Sequence, residues 1–444
     1  MTVPSAGKKQ GIKTRFARAF SAGILLVAAC RSPATEPPMS VYVVDEFARV
    51  GPSDVPGTKR AVLLRAARNE YAPFQIIVRA GNSGLKRVKA AAGALVPMRG
   101  RAIPADRITL YREHYVEVKK LSPKSKGSTG WYPDALIPFL DPSTRKPPLG
   151  ARFTAAPFDI APDSNQPLWV DVLTPGDATP GEYTGTITIS AMGIRPQRVS
   201  IKLIVWDFTL PETPSMRTHF GDADVNPLFR PPQSTSSTGL EDARQRTLQT
   251  AYAELMAAHR ICSPIPPFLM PRVNADGSID PEPTDTALQQ WINRFHITAF
   301  PIRFLGTNDR EWQVDLLGAD RERNFRYLRS MYLYLRAHHW DKMAYIYVAD
   351  EPSSREAYDD VRTRSKFIRE VVPELKVLCT RGPQVRPPPW GSLEGWVDIW
   401  VPLWPSFEEA AVKKRLSAGE EVWSYTALCQ GRQDTPFWEL DFRF

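Results

Sequence analysis

Between residues 40 and 210 the apolar positions fall in short runs separated by turn-forming Gly, Pro, Asp and Asn. The runs are VYVVDEF (41–47), AVLLRA (61–66), APFQIIVRA (72–80), ITLYREHYVEV (108–118), PLWVDVLTP (167–175), GEYTGTITISA (181–191) and QRVSIKLIVWDF (197–208). In the last of these, Val199, Ile201, Leu203 and Val205 alternate with Ser200, Lys202 and Ile204. That is the period of a strand with one buried face. The β-branched run around Thr186 to Ile189 suits a pleated, half-buried surface. Many short strands without a helical period predict an antiparallel β-sandwich over 40–210. The stretch 119–165, rich in Pro, Gly and Lys, predicts a long loop reaching off the sandwich, and Pro211-Glu212-Thr213-Pro214 marks a boundary.

After residue 215 strand-like and helical runs alternate. The strand candidates are 218–221, 261–266, 297–304, 343–351, 375–380, 397–404 and 421–428, and the helix candidates are 240–259, 285–294, 321–338, 354–371 and 406–418. Helix 240–259 has an apolar stripe of Leu240, Ala243, Leu248, Ala251, Tyr252, Leu255, Met256 and His259. Helix 321–338 repeats it with Phe325, Leu328, Met331, Tyr332 and Leu335. This alternation over 215–444 predicts a parallel sheet, most simply a (β/α)8-type TIM barrel. The pattern supplies seven strands before Phe444, so the barrel is expected to be truncated at its C-terminus.

Charge changes the picture mainly at the N-terminus. The chain has 57 Lys and Arg against 48 Asp and Glu, a net charge of +9. Five of those positive charges, Lys8, Lys9, Lys13, Arg15 and Arg18, precede Cys30 with no acidic residue among them. The apolar stretch 19–29 that follows is shorter than the about 20 residues a membrane span needs and has the flanks of a signal peptide. Val27-Ala28-Ala29-Cys30 resembles the lipobox of bacterial lipoproteins. That resemblance implies cleavage after residue 29, acylation of Cys30, a Pro/Ser/Thr tether over 30–39, and a protein exported and lipid-anchored to the cell envelope. No basic run with interleaved aromatics survives beyond Cys30, which argues against nucleic acid as a partner. Cys262, Cys379 and Cys429 show neither CxxC nor metal-ligand spacing. Buried free thiols are expected, a single disulfide being the alternative.

The strongest local signal is Tyr345-Ile346-Tyr347-Val348-Ala349-Asp350-Glu351-Pro352. A buried strand ends in two carboxylates, and in such barrels the C-terminal strand ends carry the catalytic groups. Ser353 and Glu356 have capping-box spacing for the helix that follows. Paired carboxylates flanked by aromatics suit glycosidic bond cleavage, in which one must start protonated, a state that burial favours. Neighbours on a regular strand point to opposite faces. Asp350 and Glu351 therefore fit one acid and one helper better than two carboxylates facing each other across a sugar. A solvated strand end leading into a helix N-terminus is the alternative.

The chain also resembles glycoside hydrolase family 123 and the related domain-of-unknown-function 4091 group. The resemblance rests on ARNEYAPFQIIV (67–78), PLWVDV (167–172) with TPGEYTGTITI (179–189), VADEP (348–352) and DIWVPLW (398–404). It implies an N-terminal β-sandwich, a catalytic barrel and a substrate-assisted, retaining β-N-acetylgalactosaminidase. The family's adjacent Asp-Glu pair corresponds to Asp350, which would orient the 2-acetamido group, and Glu351, which would act as general acid and then general base.

Aromatic residues at the ends of later strands, Trp400, Trp404, Trp423 and Tyr425, are candidates for stacking on a sugar, with Tyr425 also a donor to the acetamido oxygen. Arg303 and Asp222 are candidates for sugar hydroxyls; core aromatics and plain salt bridges are the alternatives. Asp222-Ala223-Asp224-Val225-Asn226 opens like a calcium loop, but Pro227 and Gln233 replace its Gly and Glu. His338-His339 ends a helix without zinc-motif partners. No metal or cofactor is called for. Other readings are a glycan-binding lipoprotein with a degenerate barrel, a glycosidase using Asp398 or Asp441 as nucleophile, and adhesion through the sandwich.

Overall fold

The computed structural model describes residues 37–121, 128–141, 144–148, 151–220, 239–305 and 314–426. The first half is a sandwich. One sheet contains β1 (Met39–Val44), β3 (Glu70–Ala80), β9 (Asn165–Thr174), β6 (Ile108–Val118) and β7 (Gly130–Pro138), in that order. The other runs β2 (Ala61–Arg68), β11 (Ile194–Thr209), β10 (Gly181–Ala191), β4 (Leu85–Ala92) and β8 (Phe158–Ile160), with β5 (Val96–Pro97) also on β10. All pairings are antiparallel except β2 with β11. All seven expected strands form, and the alternation sets their inner faces. Val199, Ile201, Leu203 and Val205 are buried, and they share a core with Phe74, Ile76, Val78, Leu168 and Val170. Each such side chain contributes about 1.5–3 kcal/mol on full burial.

The stretch 119–165 departs from expectation. Instead of reaching off as a loop, it supplies β7, paired with β6 from Tyr111↔Pro138 to Val118↔Gly130, and β8, paired with β4. Pro133 and Pro138 masked the strand in the sequence. On an edge strand such as β7, a missing N–H need not break a ladder.

Glu113 of β6 is 4% exposed, and its Oε1 has no hydrogen-bond partner. Burial pushes its pKa up from 4.5 to about 8. Between those values the folded chain keeps a proton that the unfolded chain has lost. Stability should therefore fall as pH rises from about 4.5 to about 8, by about 1.4 kcal/mol per unit. In thermal melts, Glu113→Gln should remove this decline and melt above the wild type at pH 8; equal pH dependence in both proteins would contradict it.

The second half is built on parallel strands. β14 (Phe300–Ile302), β15 (Ala344–Ala349), β16 (Lys376–Cys379), β17 (Ile399–Trp400) and β18 (Glu421–Val422) pair in chain order. The helices are α1 (Gly239–Ala258), α2 (Asp285–Arg294), α3 (Arg321–Ala337), α4 (Arg355–Val371) and α5 (Glu409–Ser417). A short hairpin of β12 (Arg272–Val273) and β13 (Ile279–Asp280) lies before α2. Among the described residues the sheet is open and five-stranded, not a closed (β/α)8 barrel. Two expected strands, 218–220 of the first candidate and 261–266, form no ladder. They still run beside the sheet. The Cys262 N–H donates to Thr218 Oγ1 at 2.8 Å, and the Thr298 N–H to Cys262 Sγ at 3.4 Å. Pro264 and Pro266 remove backbone donors that a strand would need.

Helix α3 buries Leu328, Met331, Tyr332 and Leu335 as its stripe predicts. In α1 the stripe is rotated. Tyr252 and Leu255 are exposed while Ala253, outside the expected stripe, is buried. His338 caps the end of α3, contacts Asp285 and stacks on Trp340. Cys262 and Cys379 are buried free thiols; Cys429 lies outside the described residues. No described helix is long and apolar enough to cross a membrane.

Candidate active site

The parallel sheet has two faces. Ile346, Val348, Val377, Cys379 and Trp400 join the core that includes the helices. Tyr345, Leu378, Ile399 and Val401, with Tyr347, Trp423 and Tyr425, line the other face. At the strand starts this second face carries Glu421, held by Arg217 at 3.1 Å and by Lys376. Burial opposes ionisation of Glu421, but the two cations outweigh it and hold its pKa below the ordinary value. Above the ion cluster, the Trp423 indole N–H donates to Glu421 and its ring meets Tyr345 edge-on. Tyr345 in turn hydrogen-bonds His219 at 2.6 Å. These groups form a fixed layer beneath the strand ends.

Asp350 and Glu351 follow the end of β15. The β15–β16 register shifts there, from Tyr347↔Leu378 to Ala349↔Cys379, so β15 carries one residue more than its neighbour. Such a bulge re-aims the side chains beyond it. Glu351 then adopts φ 45°, a left-handed conformation uncommon for residues other than glycine. Strand alternation therefore ends before the carboxylates, and the opposite-face argument does not govern this pair. Ser354, one residue beyond the expected Ser353, caps α4 by accepting from the Ala357 N–H at 3.2 Å.

Each carboxylate is held through one oxygen. Asp350 Oδ1 accepts from the Tyr347 hydroxyl at 2.7 Å and the Thr380 hydroxyl at 2.9 Å. Glu351 Oε1 accepts from the Tyr425 hydroxyl. Among the described residues, neither Asp350 Oδ2 nor Glu351 Oε2 has a hydrogen-bond donor. Burial and the adjacent carboxylates push the phenol pKa values of Tyr347 and Tyr425 upward, which keeps both as donors. Both carboxylate residues are exposed, so the expected burial of the acid is not a property of the site as it stands. Arg381, next after Thr380, rests on Tyr358 and adds positive charge near Tyr425. No group of three His, Cys, Asp or Glu that could hold a metal ion occurs among the described residues.

The other candidates divide. Tyr425 reaches the pair, through Glu351 rather than as a free donor. Trp423 lies one layer below it. The Trp404 ring packs on Phe407, while its backbone N–H donates to Tyr425 O at 2.9 Å, placing it at the rim. Trp400 does not belong to the site. It is 2% exposed on the helix-covered face, with its indole N–H on Glu420, because it pairs with Cys379 and shares that residue's face. Arg303 is exposed beyond β14 and lines a separate cavity of about 270 Å³ with Gln249, Tyr252, Ser263 and Trp291. Asp398 is committed elsewhere: it binds Arg369 at 2.8 Å and the Val377 N–H at 2.8 Å before β17 begins, so it is no nucleophile for this site. Asp222 with its calcium-like loop, Asp441 and Cys30 lie outside the described residues.

Sequence reasoning missed Tyr347, Thr380, Arg381 and His219. Thr380 and Arg381 were detectable by the rule that found Asp350, polar residues directly after a buried parallel strand. His219 carried no such signal.

Residues 46–191 match the glycoside hydrolase 123 N-terminal domain. No curated protein matches the sequence. The fold is similar to that of a family 123 glycoside hydrolase from Clostridium perfringens, solved in a study of glycolipid glycan hydrolysis. The two share 13% identity over 88% of this chain and 72% of that one, with a TM-score of 0.58. A Bacteroides ovatus GH5 xyloglucanase (10% identity, 77% and 65% of the two chains, TM-score 0.17) and a PapD-like domain of human CEP192 (11%, 41% and 98%, TM-score 0.19) are too remote in shape to carry weight. Over residues 46–191 this chain is therefore similar to the N-terminal domain of glycoside hydrolase family 123, and its overall fold is similar to that of a family 123 enzyme.

Proposed function

We propose that the protein hydrolyses β-linked N-acetylhexosamine, N-acetylgalactosamine foremost, by a retaining mechanism in which the substrate supplies the nucleophile. The observation that carries this reading is the pair of carboxylates at one strand end, each gripped through one oxygen with the other left to a ligand. Asp350 Oδ2 takes the acetamido N–H and turns the carbonyl oxygen toward the anomeric carbon. That oxygen attacks C1 as the glycosidic bond breaks. Glu351, protonated on Oε2 while Oε1 accepts from Tyr425, gives its proton to the departing oxygen. The resulting oxazolinium ring is opened by water, which Glu351 now deprotonates, so configuration is retained and the acid is restored. No second facing carboxylate is needed.

The same reading takes the parallel strands as part of a (β/α)8-type barrel, with the site at its C-terminal face. It also takes the protein as exported and anchored through an acylated Cys30, which the basic n-region, the 19–29 apolar run and the small residues before Cys30 support. Metabolic labelling with a radioactive fatty acid should mark the wild type and not Cys30→Ser; label retained in the variant would refute the anchor.

The function is tested with chain lacking residues 1–30 on 4-nitrophenyl β-N-acetylgalactosaminide, the N-acetylglucosaminide and the plain β-galactoside. Turnover confined to the acetamido sugars is expected. No turnover by folded protein that still binds N-acetylgalactosamine would make this a glycan-binding protein instead.

A further inference from the structure

From the contacts of its single hydroxyl, we infer that Thr380 is a positioning residue that locks Asp350 and Glu351 into one working unit. The inference rests on the hydrolase reading above. Thr380 follows β16 and lies beside the bulged end of β15, where Ala349 pairs with Cys379. Its Oγ1 lies 2.7 Å from the Glu351 N, 2.9 Å from Asp350 Oδ1, 3.1 Å from the Tyr347 hydroxyl and 3.3 Å from the Ala349 carbonyl oxygen.

A hydroxyl has one proton to donate and two lone pairs. The Glu351 N–H can only donate, so it uses one lone pair. The Thr380 proton then goes to the charged and nearer acceptor, Asp350 Oδ1, rather than to Ala349 O. One side chain thus grips the main chain of the acid/base residue and the side chain of the orienting residue.

The grip matters because the backbone there is unfavourable. Glu351 sits at φ 45°, and left-handed conformations of non-glycine residues are unfavourable and persist only where their surroundings impose them. The Glu351 N–H bond to Thr380 is one such imposed contact. Without it, Glu351 can relax toward ordinary backbone and swing away from Tyr425. At the same moment Asp350 loses one of its two donors and turns about the remaining Tyr347 contact. Both errors misplace reacting groups without altering the sugar's other contacts. The loss should therefore fall on kcat rather than on KM, since displacements of about 1 Å can cost about 100-fold.

The test measures kcat and KM of full-length Thr380→Val, Thr380→Ala and Thr380→Ser on 4-nitrophenyl β-N-acetylgalactosaminide, with thermal melts of each. Valine keeps the shape and removes the hydroxyl; alanine removes the hydroxyl and the methyl group together. Both are expected to lose about 10- to 100-fold in kcat, with KM nearly unchanged. Serine restores the hydroxyl and should recover most of the rate. Wild-type rates in the folded valine or alanine variant overturn the role of Thr380 while leaving the hydrolase reading intact. A serine variant as slow as valine also overturns it, because the hydroxyl would then have been restored without restoring the rate. No turnover by folded wild type overturns the hydrolase reading and this inference together.

Discussion

Glu351→Gln is expected to lower kcat by about 10²- to 10⁴-fold on a substrate with a poor leaving group, the range that general acid catalysis supplies. KM should change little. Gln keeps the size of the side chain and an oxygen that accepts from Tyr425, so the left-handed turn and the neighbouring contacts remain. What is gone is the carboxyl group that gives the proton to the leaving oxygen and takes one back from water. The size of the loss should track the leaving group. A 4-nitrophenolate departs with little help, whereas a sugar or alkyl alcohol must be protonated as its bond breaks. The variant should be far more impaired on a disaccharide than on the aryl glycoside. Equal impairment on both would assign Glu351 a role other than acid.

The second large effect concerns Asp350. Asp350→Asn should cost about 10²- to 10³-fold in kcat on acetamido substrates, comparable to removing a group aimed at charge that develops in the transition state. As the acetamido oxygen bonds to C1, positive charge spreads to its nitrogen, and a carboxylate at the N–H stabilises it. Asn can keep a contact with the Tyr347 and Thr380 hydroxyls, so its side chain stays in place. What it lacks is the charge. Unlike Glu351→Gln, this variant should be impaired equally whatever the leaving group. A loss that varied with leaving group would contradict the separation of roles.

Much of the fold could be read from apolar spacing because burial enforces it. The alternation at Val199, Ile201, Leu203 and Val205 is the buried face of β11, and the α3 stripe is the packed face of that helix. The failures have equally local causes. Edge position let β7 hold Pro133 and Pro138, which in a central strand would have ruled it out. Trp400 is a candidate by its place at a strand end, which does not fix the face that a residue takes; its pairing with Cys379 puts it in the core, the alternative reading. The site itself was half visible. A pair of carboxylates after a buried strand is a sequence feature, and Tyr425 lay at another strand end. The bulge before Asp350, the left-handed Glu351 and the meeting of Tyr347 with Thr380 depend on register between strands that no single segment encodes. The opposite-face argument failed for the same reason: it assumed regular strand where the chain had already turned.

The central claim is that the substrate's own acetamido oxygen is the nucleophile. It is tested most directly with 4-nitrophenyl β-galactosaminides whose N-acyl group carries none, one, two or three fluorines. Each fluorine withdraws electrons from the carbonyl oxygen and weakens it as a nucleophile while barely changing its size. The account predicts that kcat/KM falls steeply and progressively along the series, with the β-anomer of the sugar as first product. Rates insensitive to fluorination would contradict it and place the nucleophile on the protein or on water.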